Sequence, residues 1–75
     1  MMLSPVRVDW DRRPVSLHHD DLETLEKLIE YLSSQHGVKR HSIVMPDRAE
    51  GGFVAFLYQA CDPNWIISWQ ESCGD

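Results

Sequence analysis

Two apolar runs in the last third of the chain, residues 53–60 and 65–69, are separated by the turn signal Asp62-Pro63-Asn64. Proline favours the second position of a type I turn, and the flanking aspartate and asparagine side chains supply hydrogen-bond acceptors. Five of the seven aromatic residues lie in this block, namely Phe53, Phe56, Tyr58, Trp65 and Trp69. The pattern predicts a β-hairpin whose two strands are apolar on both faces.

The length and composition are those of one small globular domain. A chain of 75 residues allows a single domain. A domain of this size buries only about 60% of its unfolded surface, so its core is thin. Hydrophobic residues make up 43% and charged residues 25%, which is typical of a folded protein. The net charge of −5 repels phosphate, so a nucleic-acid-binding role is disfavoured.

The cysteines and the hydropathy pattern indicate a cytoplasmic protein. Cys61 and Cys73 are too few for a disulfide scaffold, so free thiols are expected, and a bridge between them is the less favoured alternative. The N-terminal residues lack the apolar centre of a secretion signal. No apolar run approaches the roughly 18 residues that a membrane span needs. We therefore expect no membrane association.

The residues before the predicted helix have the alternation of strands. In residues 5–10, Val6, Val8 and Trp10 share one face, which predicts a half-buried strand. Residues 15–17 are a second, shorter candidate strand. Because proline lacks an N–H, Pro14 is expected to confine that piece to an edge or a loop.

One amphipathic helix follows. Asp20 is the expected N-cap, and Glu23 three residues later completes a variant of the capping box. Gly37 is expected to end the helix. The apolar stripe consists of Leu22, Leu25, Leu28, Ile29 and Leu32. The opposite face is acidic, with Glu23, Glu26 and Glu30.

The order of these elements predicts the fold class. Residues 41–45 form a strand closed by Pro46, and a polar loop with Gly51 and Gly52 leads into the aromatic hairpin. The resulting order, β-α-β-β-β, predicts an α+β two-layer sandwich: an antiparallel sheet of three to four strands with one helix packed on a face.

Such a sheet offers more apolar area than one helix can cover. The excess is covered by Trp10 and residues 12–17, by a second copy of the chain, or by a partner protein. If a partner covers it, Phe56, Tyr58, Trp65 and Trp69 are the expected anchors. The pattern leaves these readings open. Replacing Trp69 by Ala separates them, because it abolishes partner binding in one reading and unfolds the chain in the other.

The candidate chemical groups are weak. His18-His19-Asp20-Asp21 contains metal-ligand residue types, but adjacent side chains at a helix start splay apart, so a helix cap preceded by two solvent-facing histidines is the favoured interpretation. His36 and His41 flank the turn after the helix, and surface histidines are the favoured reading there. Asp62 beside Cys61 should raise the pKa of the thiol and weaken it as a nucleophile. We therefore expect no enzyme activity, no metal and no cofactor.

Residues 46–55, Pro-Asp-Arg-Ala-Glu-Gly-Gly-Phe-Val-Ala, with Cys61 beyond them, resemble a hairpin near the start of HicB-type antitoxins. There, an acidic loop leads into Gly-Gly and an aromatic residue. The similarity covers about a fifth of the chain. In that family a helix follows the hairpin, and a DNA-binding segment often ends the protein, whereas the predicted helix here precedes the hairpin. Separately, a small acidic domain with no catalytic constellation fits an inhibitor or an antitoxin-like accessory protein by analogy.

These observations favour a non-catalytic protein-binding module. It would act as a small inhibitor or accessory protein, of the kind that phages and mobile elements encode, and engage a larger protein through the aromatic anchors or the acidic helix face. A homo-oligomer, such as a homodimer, is the alternative. A His/Asp metal-binding protein or a nucleic-acid-associated protein is the third hypothesis.

Overall fold

The computed structural model describes residues 6–73, apart from the side chain of Cys73, so Pro5 of the predicted first strand lies outside it. Within these residues the elements are β1 (Arg7–Asp9), β2 (Val15–His19), α1 (Leu22–His36), β3 (Met45–Pro46), β4 (Phe53–Leu57) and α2 (Pro63–Cys73). The strands form an antiparallel four-stranded sheet in the order β1-β2-β4-β3. The predicted class, an α+β domain with an antiparallel sheet and a helix on one face, is confirmed.

The second strand lies inside the sheet. β2 pairs with β1 on one side and with β4 on the other, so Val8, Leu17 and Ala55 are neighbours across three strands. The prediction that Pro14 confines this strand to an edge or a loop was wrong. Pro14 comes one residue before β2 begins, so its missing N–H takes no bond out of the ladder.

The helix α1 begins one residue later than predicted. Asp21, with an extended backbone, is the N-cap, and its side chain makes no capping hydrogen bond. Its carboxylate instead accepts a hydrogen bond from Thr24 Oγ1 at 2.8 Å, and this bond lowers the pKa of Asp21. The predicted Asp20–Glu23 capping box was therefore wrong. Gly37 ends the helix as predicted, with φ +67°.

Residues 65–69 belong to helix α2 and not to a strand. Asp62 Oδ1 accepts the N–H of Asn64 at 2.9 Å, which makes Asp62 the cap of α2, with Pro63 at its first position. Ile66 and Trp69, three residues apart, are buried, whereas Ile67 between them is 50% exposed. This spacing is helical, so the predicted hairpin between residues 53–60 and 65–69 was wrong.

The helices cover one face of the sheet together. The core combines the residue just before β1 with side chains from β2, β4, α1, α2 and the segment between α1 and β3: Val6, Leu17, Leu25, Leu28, Ile29, Leu32, Val38, Ala55, Leu57, Ile66 and Trp69. Ile66 and Trp69 of α2 belong to this core, so residues that were predicted to add apolar area to the sheet instead help to cover it, and residues 15–17, which were expected to cover the sheet, belong to β2. Trp10 packs against the edge of the core.

The strand predicted at residues 41–45 is interrupted. His41 lies opposite Leu57, and Met45 lies opposite Val54, so this side holds one more residue than β4 does between the two pairs. Such an insertion is a β-bulge. The Ser42 side chain fills the gap in the ladder, because its Oγ accepts the N–H of Phe56 at 2.8 Å. The bulge turns Ile43 outward, where it is 79% exposed.

Candidate functional site

A cleft opens at the end of the sheet where the β1–β2 connection meets the segment between β4 and α2. Its volume is about 690 Å³. Its walls are mainly apolar and consist of Trp10, Arg13, Pro14, Val15, Leu57, Tyr58, Gln59, Ala60, Cys61 and Pro63. Sites that bind small molecules or protein side chains share this character: an apolar concave surface with a few polar groups. We refer to it as the aromatic cleft.

Hydrogen bonds hold both walls of the aromatic cleft. On one wall the Arg13 guanidinium donates from Nη1 to the carbonyl oxygens of Trp10, at 2.7 Å, and Arg12, at 3.1 Å. On the other wall, Gln59 Oε1 accepts the N–H groups of Lys39 and Arg40, both at 2.9 Å. The aromatic cleft is therefore built from loops that are each tied to backbone groups.

Tyr58 is the most exposed aromatic side chain of the aromatic cleft. It follows the last residue of β4 and is 51% exposed, whereas Trp10 is half-buried. The N–H of Tyr58 donates to the carbonyl of Arg40 at 2.8 Å, which fixes its backbone to the segment after α1. A rigid backbone with an exposed aromatic ring is a common anchor of protein interfaces, because little conformational entropy is lost on binding.

Cys61, a free thiol, lies half-buried in the wall of the aromatic cleft. Its burial, together with the carboxylate of Asp62, raises the pKa of the thiol to about 11. A thiol with such a pKa is almost entirely protonated at neutral pH, and the thiolate is the nucleophile. Cys61 therefore contributes an apolar surface to the aromatic cleft and is a poor nucleophile.

Alkylation kinetics test this assignment. In a Cys73→Ser background at pH 8, Cys61 is expected to react with iodoacetamide about tenfold more slowly in the folded chain than in urea. A rise of the pKa from 9.0 to about 11 lowers the thiolate fraction roughly 100-fold. The greater nucleophilicity of the less acidic thiol restores about tenfold of this. Equal rates in the two states, followed by mass spectrometry, would contradict it.

The four predicted anchors do not share one surface. Tyr58 lines the aromatic cleft. Phe56 pairs with Ser16 and is half-buried on the sheet face away from the helices. Trp69 is 9% exposed and belongs to the core. Trp65 is half-buried on α2, where its ring stacks on His36 with centroids 4.3 Å apart.

The predicted acidic face is present on α1. Glu23, Glu26 and Glu30 are exposed, and Glu23 pairs with Lys27 at 3.6 Å. Glu26 and Glu30 also line a shallow groove with the bulge residues Ile43 and Val44. This groove is separate from the aromatic cleft in its lining residues.

The histidines that the sequence pattern singled out lie in separate parts of the fold. His18 and His19 point to opposite faces of β2, and Asp21 caps α1. The prediction that both histidines face solvent was wrong for His18, which is buried in β2. The ring of His19 accepts the N–H of Asp21 at 2.9 Å. His36 packs edge-on against Tyr31, and its Nε2 lies 2.9 Å from the Tyr31 hydroxyl. His36 is therefore an aromatic packing residue and not a purely surface histidine.

The sequence patterns missed one polar chain, on the sheet face away from the helices. Ser16 Oγ lies 2.8 Å from His18 Nε2, and His18 Nδ1 lies 3.1 Å from Asp47 Oδ2. Asp47 Oδ1 accepts the N–H groups of Ala49 and Glu50. The bond from the Glu50 N–H and the contact with His18 lower the pKa of Asp47 below its usual range.

The hydrogen-bonded groups Ser16, His18 and Asp47 follow the order of a serine hydrolase triad, but the serine is buried. A nucleophilic serine must be reached by substrate. Ser16 is 0% exposed in an inner strand, so its hydroxyl is closed to any substrate. These hydrogen bonds therefore attach loop 47–52 to the sheet through His18 and Asp47. The available signal was the alternation that places Ser16 and His18 on one face of β2.

Among residues 6–73, no helix has the length and apolar character to cross a membrane. The hairpin that resembles HicB-type antitoxins is present as β3 and β4, with α2 after it. The resemblance remains a similarity of one hairpin. The chain matches no protein-family model, no curated protein and no solved structure.

Proposed function

We propose that this chain is a non-catalytic protein-binding module that holds a segment of a larger protein in the aromatic cleft. In this role it acts as a small inhibitor or accessory protein in the cytoplasm. The observation that carries the proposal is the cleft itself: an apolar concavity of about 690 Å³ with tethered walls and a half-exposed Tyr58 at its mouth. Anchor pockets of protein interfaces have this construction.

The lining defines the partner segment. An apolar side chain of the partner inserts between Trp10 and Tyr58, where it loses contact with water. Arg13 supplies a cation at the same cleft, which favours a carbonyl or carboxylate beside that side chain. The net charge of −5 and the acidic face Glu23, Glu26 and Glu30 steer the module towards a partner with a basic surface elsewhere.

Two features support a non-catalytic role. In the hydrogen-bonded series Ser16–His18–Asp47, Ser16 is fully buried, so a substrate cannot reach its hydroxyl. The thiol in the aromatic cleft is protonated at neutral pH because its pKa is about 11. Ser16 and Cys61 are thus each held in an unreactive state.

Selection of displayed peptides on the purified chain tests the proposal. Peptides that bind the wild type should lose at least about 30-fold in affinity with Tyr58→Ala, because a hot-spot anchor contributes 2 kcal/mol or more. Ile43→Ala removes an exposed apolar side chain, 79% exposed, from a groove that shares no lining residue with the aromatic cleft, and it should bind like the wild type. Peptides that bind Tyr58→Ala as tightly as the wild type would overturn the proposal.

The homodimer hypothesis makes a different prediction for the same variant. If a second copy fills the aromatic cleft, light scattering finds a dimer of the wild type and a monomer of Tyr58→Ala. A wild-type monomer at high concentration excludes the dimer and leaves the cleft to another protein.

A further inference from the structure

Three potential metal ligands converge on the sheet face opposite the helices. His18 Nδ1 lies 3.1 Å from Asp47 Oδ2 and 4.0 Å from Glu50 Oε2. The three ligand atoms all lie within 4.8 Å of one another. His18 comes from β2, whereas Asp47 and Glu50 come from loop 47–52, so the fold unites residues distant in sequence. This cluster is separate from the aromatic cleft.

These separations suit a small divalent ion. Zinc binds imidazole nitrogen and carboxylate oxygen at about 2.0–2.2 Å, so tetrahedral geometry places neighbouring ligands roughly 3.4 Å apart. The His18–Asp47 and His18–Glu50 separations, 3.1 and 4.0 Å, lie on either side of that value. Small side-chain rotations therefore suffice to bring all three atoms onto one ion.

Two of the three ligands are already held in place. The side chains of His18 and Asp47 are each 10% exposed. Ser16 Oγ lies 2.8 Å from His18 Nε2, the usual place for the partner that orients a metal-binding imidazole. Loop N–H groups bind Oδ1 of Asp47 and leave Oδ2 directed at His18. Little ordering is then required when an ion binds.

We propose that His18, Asp47 and Glu50 form a binding site for a divalent transition-metal ion of the zinc type. One nitrogen and two oxygen ligands favour such ions over Mg²⁺, which prefers oxygen ligands and keeps its water. The ion fixes loop 47–52 to β2. Arg7 Nη2, at 3.0 Å from Glu50 Oε2, competes with the ion for the third ligand.

Calorimetric titration of the tag-free chain with Zn²⁺ tests the site. The wild type should bind one equivalent, and Mg²⁺ should bind far more weakly. Glu50→Gln and Asp47→Asn should each weaken Zn²⁺ binding at least about tenfold, because losing a ligand matters no less than losing a supporting residue. Glu50 is half-exposed, so Glu50→Gln remains informative if Asp47→Asn unfolds. Glu26→Gln and His41→Gln, outside the cluster, should bind like the wild type.

Arg7→Gln gives a test of opposite sign. Removing the competing cation frees Glu50, so Zn²⁺ affinity should rise roughly two- to fivefold, the range of an exposed ion pair. Adventitious binding by surface histidines would not respond to this change. The proposal is overturned if the wild type shows no saturable Zn²⁺ binding or if Glu50→Gln binds as the wild type does. A lower Zn²⁺ affinity in Arg7→Gln would contradict the competition between Arg7 and the ion for Glu50.

Discussion

Trp69→Ala is expected to lower the free energy of unfolding by about 3–5 kcal/mol, the usual cost of truncating a buried tryptophan. Trp69 is 9% exposed and packs into the core from α2. A domain of 75 residues has a total stability of roughly 4–11 kcal/mol, so the substitution removes a large share of it and should lower the urea midpoint strongly. Urea denaturation followed by circular dichroism measures the change.

Ile67→Ala is the matched control for Trp69→Ala. Ile67 lies on the same helix but is 50% exposed, so its truncation should cost less than about 1 kcal/mol. A variant Trp69→Ala with the urea midpoint of the wild type would place the side chain outside the core. Such a result would instead support the earlier hypothesis that Trp69 is an exposed anchor for a partner protein.

Gly52→Ala is expected to destabilise the chain by about 1–3 kcal/mol more than Gly51→Ala, because it adds a steric conflict to an unfavourable backbone conformation. Both glycines have positive φ, +84° at Gly51 and +70° at Gly52. A Cβ at Gly52 would lie 2.9 Å from the carbonyl oxygen of His19 and 2.9 Å from Asp20 Oδ1. At Gly51 nothing lies within 4 Å of such a Cβ.

The glycine pair therefore separates backbone strain from steric conflict. Gly51→Ala should show the cost of a left-handed conformation alone, about 1–2 kcal/mol. The difference between the two urea-unfolding free energies measures how closely loop 47–52 lies against the end of β2. Equal destabilisation by the two variants would show that the loop stands away from His19, and it would weaken the geometry of the metal cluster.

The sequence could predict those elements whose pattern is local. Four residues of the predicted stripe form the buried face of α1, namely Leu25, Leu28, Ile29 and Leu32. The inclusion of Leu22 was wrong, because this first residue of the helix is 38% exposed. Gly37 ends the helix with the positive φ that glycine tolerates. The alternation of Val6 and Val8 likewise predicts which face of β1 meets the core. Each of these features depends on residues within a few positions of one another.

The second helix could not be recognised from the same rules. Asp62-Pro63-Asn64 satisfies both a type I turn and a helix start, since aspartate caps and proline suits the first helical position. The short apolar run after it is compatible with a strand or a helix. In the helix, Ile66 and Trp69 lie on one side and are buried in the same core as Val6. This contact between distant parts of the sequence is not contained in a local pattern.

The functional clusters depend on long-range contacts that no local pattern contains. His18 and Asp47 are 29 residues apart in sequence. The aromatic cleft joins Trp10 to Tyr58 because β2 pairs with both β1 and β4. Tyr58 was among the predicted anchors, and its role there remains a prediction. Trp10 was expected to cover excess apolar area of the sheet. It packs against the core and also lines the aromatic cleft.

Nuclear magnetic resonance mapping of a selected peptide on the isotopically labelled chain shows directly whether the aromatic cleft binds it. The largest chemical-shift changes are expected at residues that line the aromatic cleft: Trp10, Arg13, Tyr58 and Cys61. The indole N–H of the buried Trp69 should change little. Dominant changes on the acidic face of α1 or on the sheet face of Phe56, with an unperturbed Tyr58, would contradict the assignment of the aromatic cleft as the binding site.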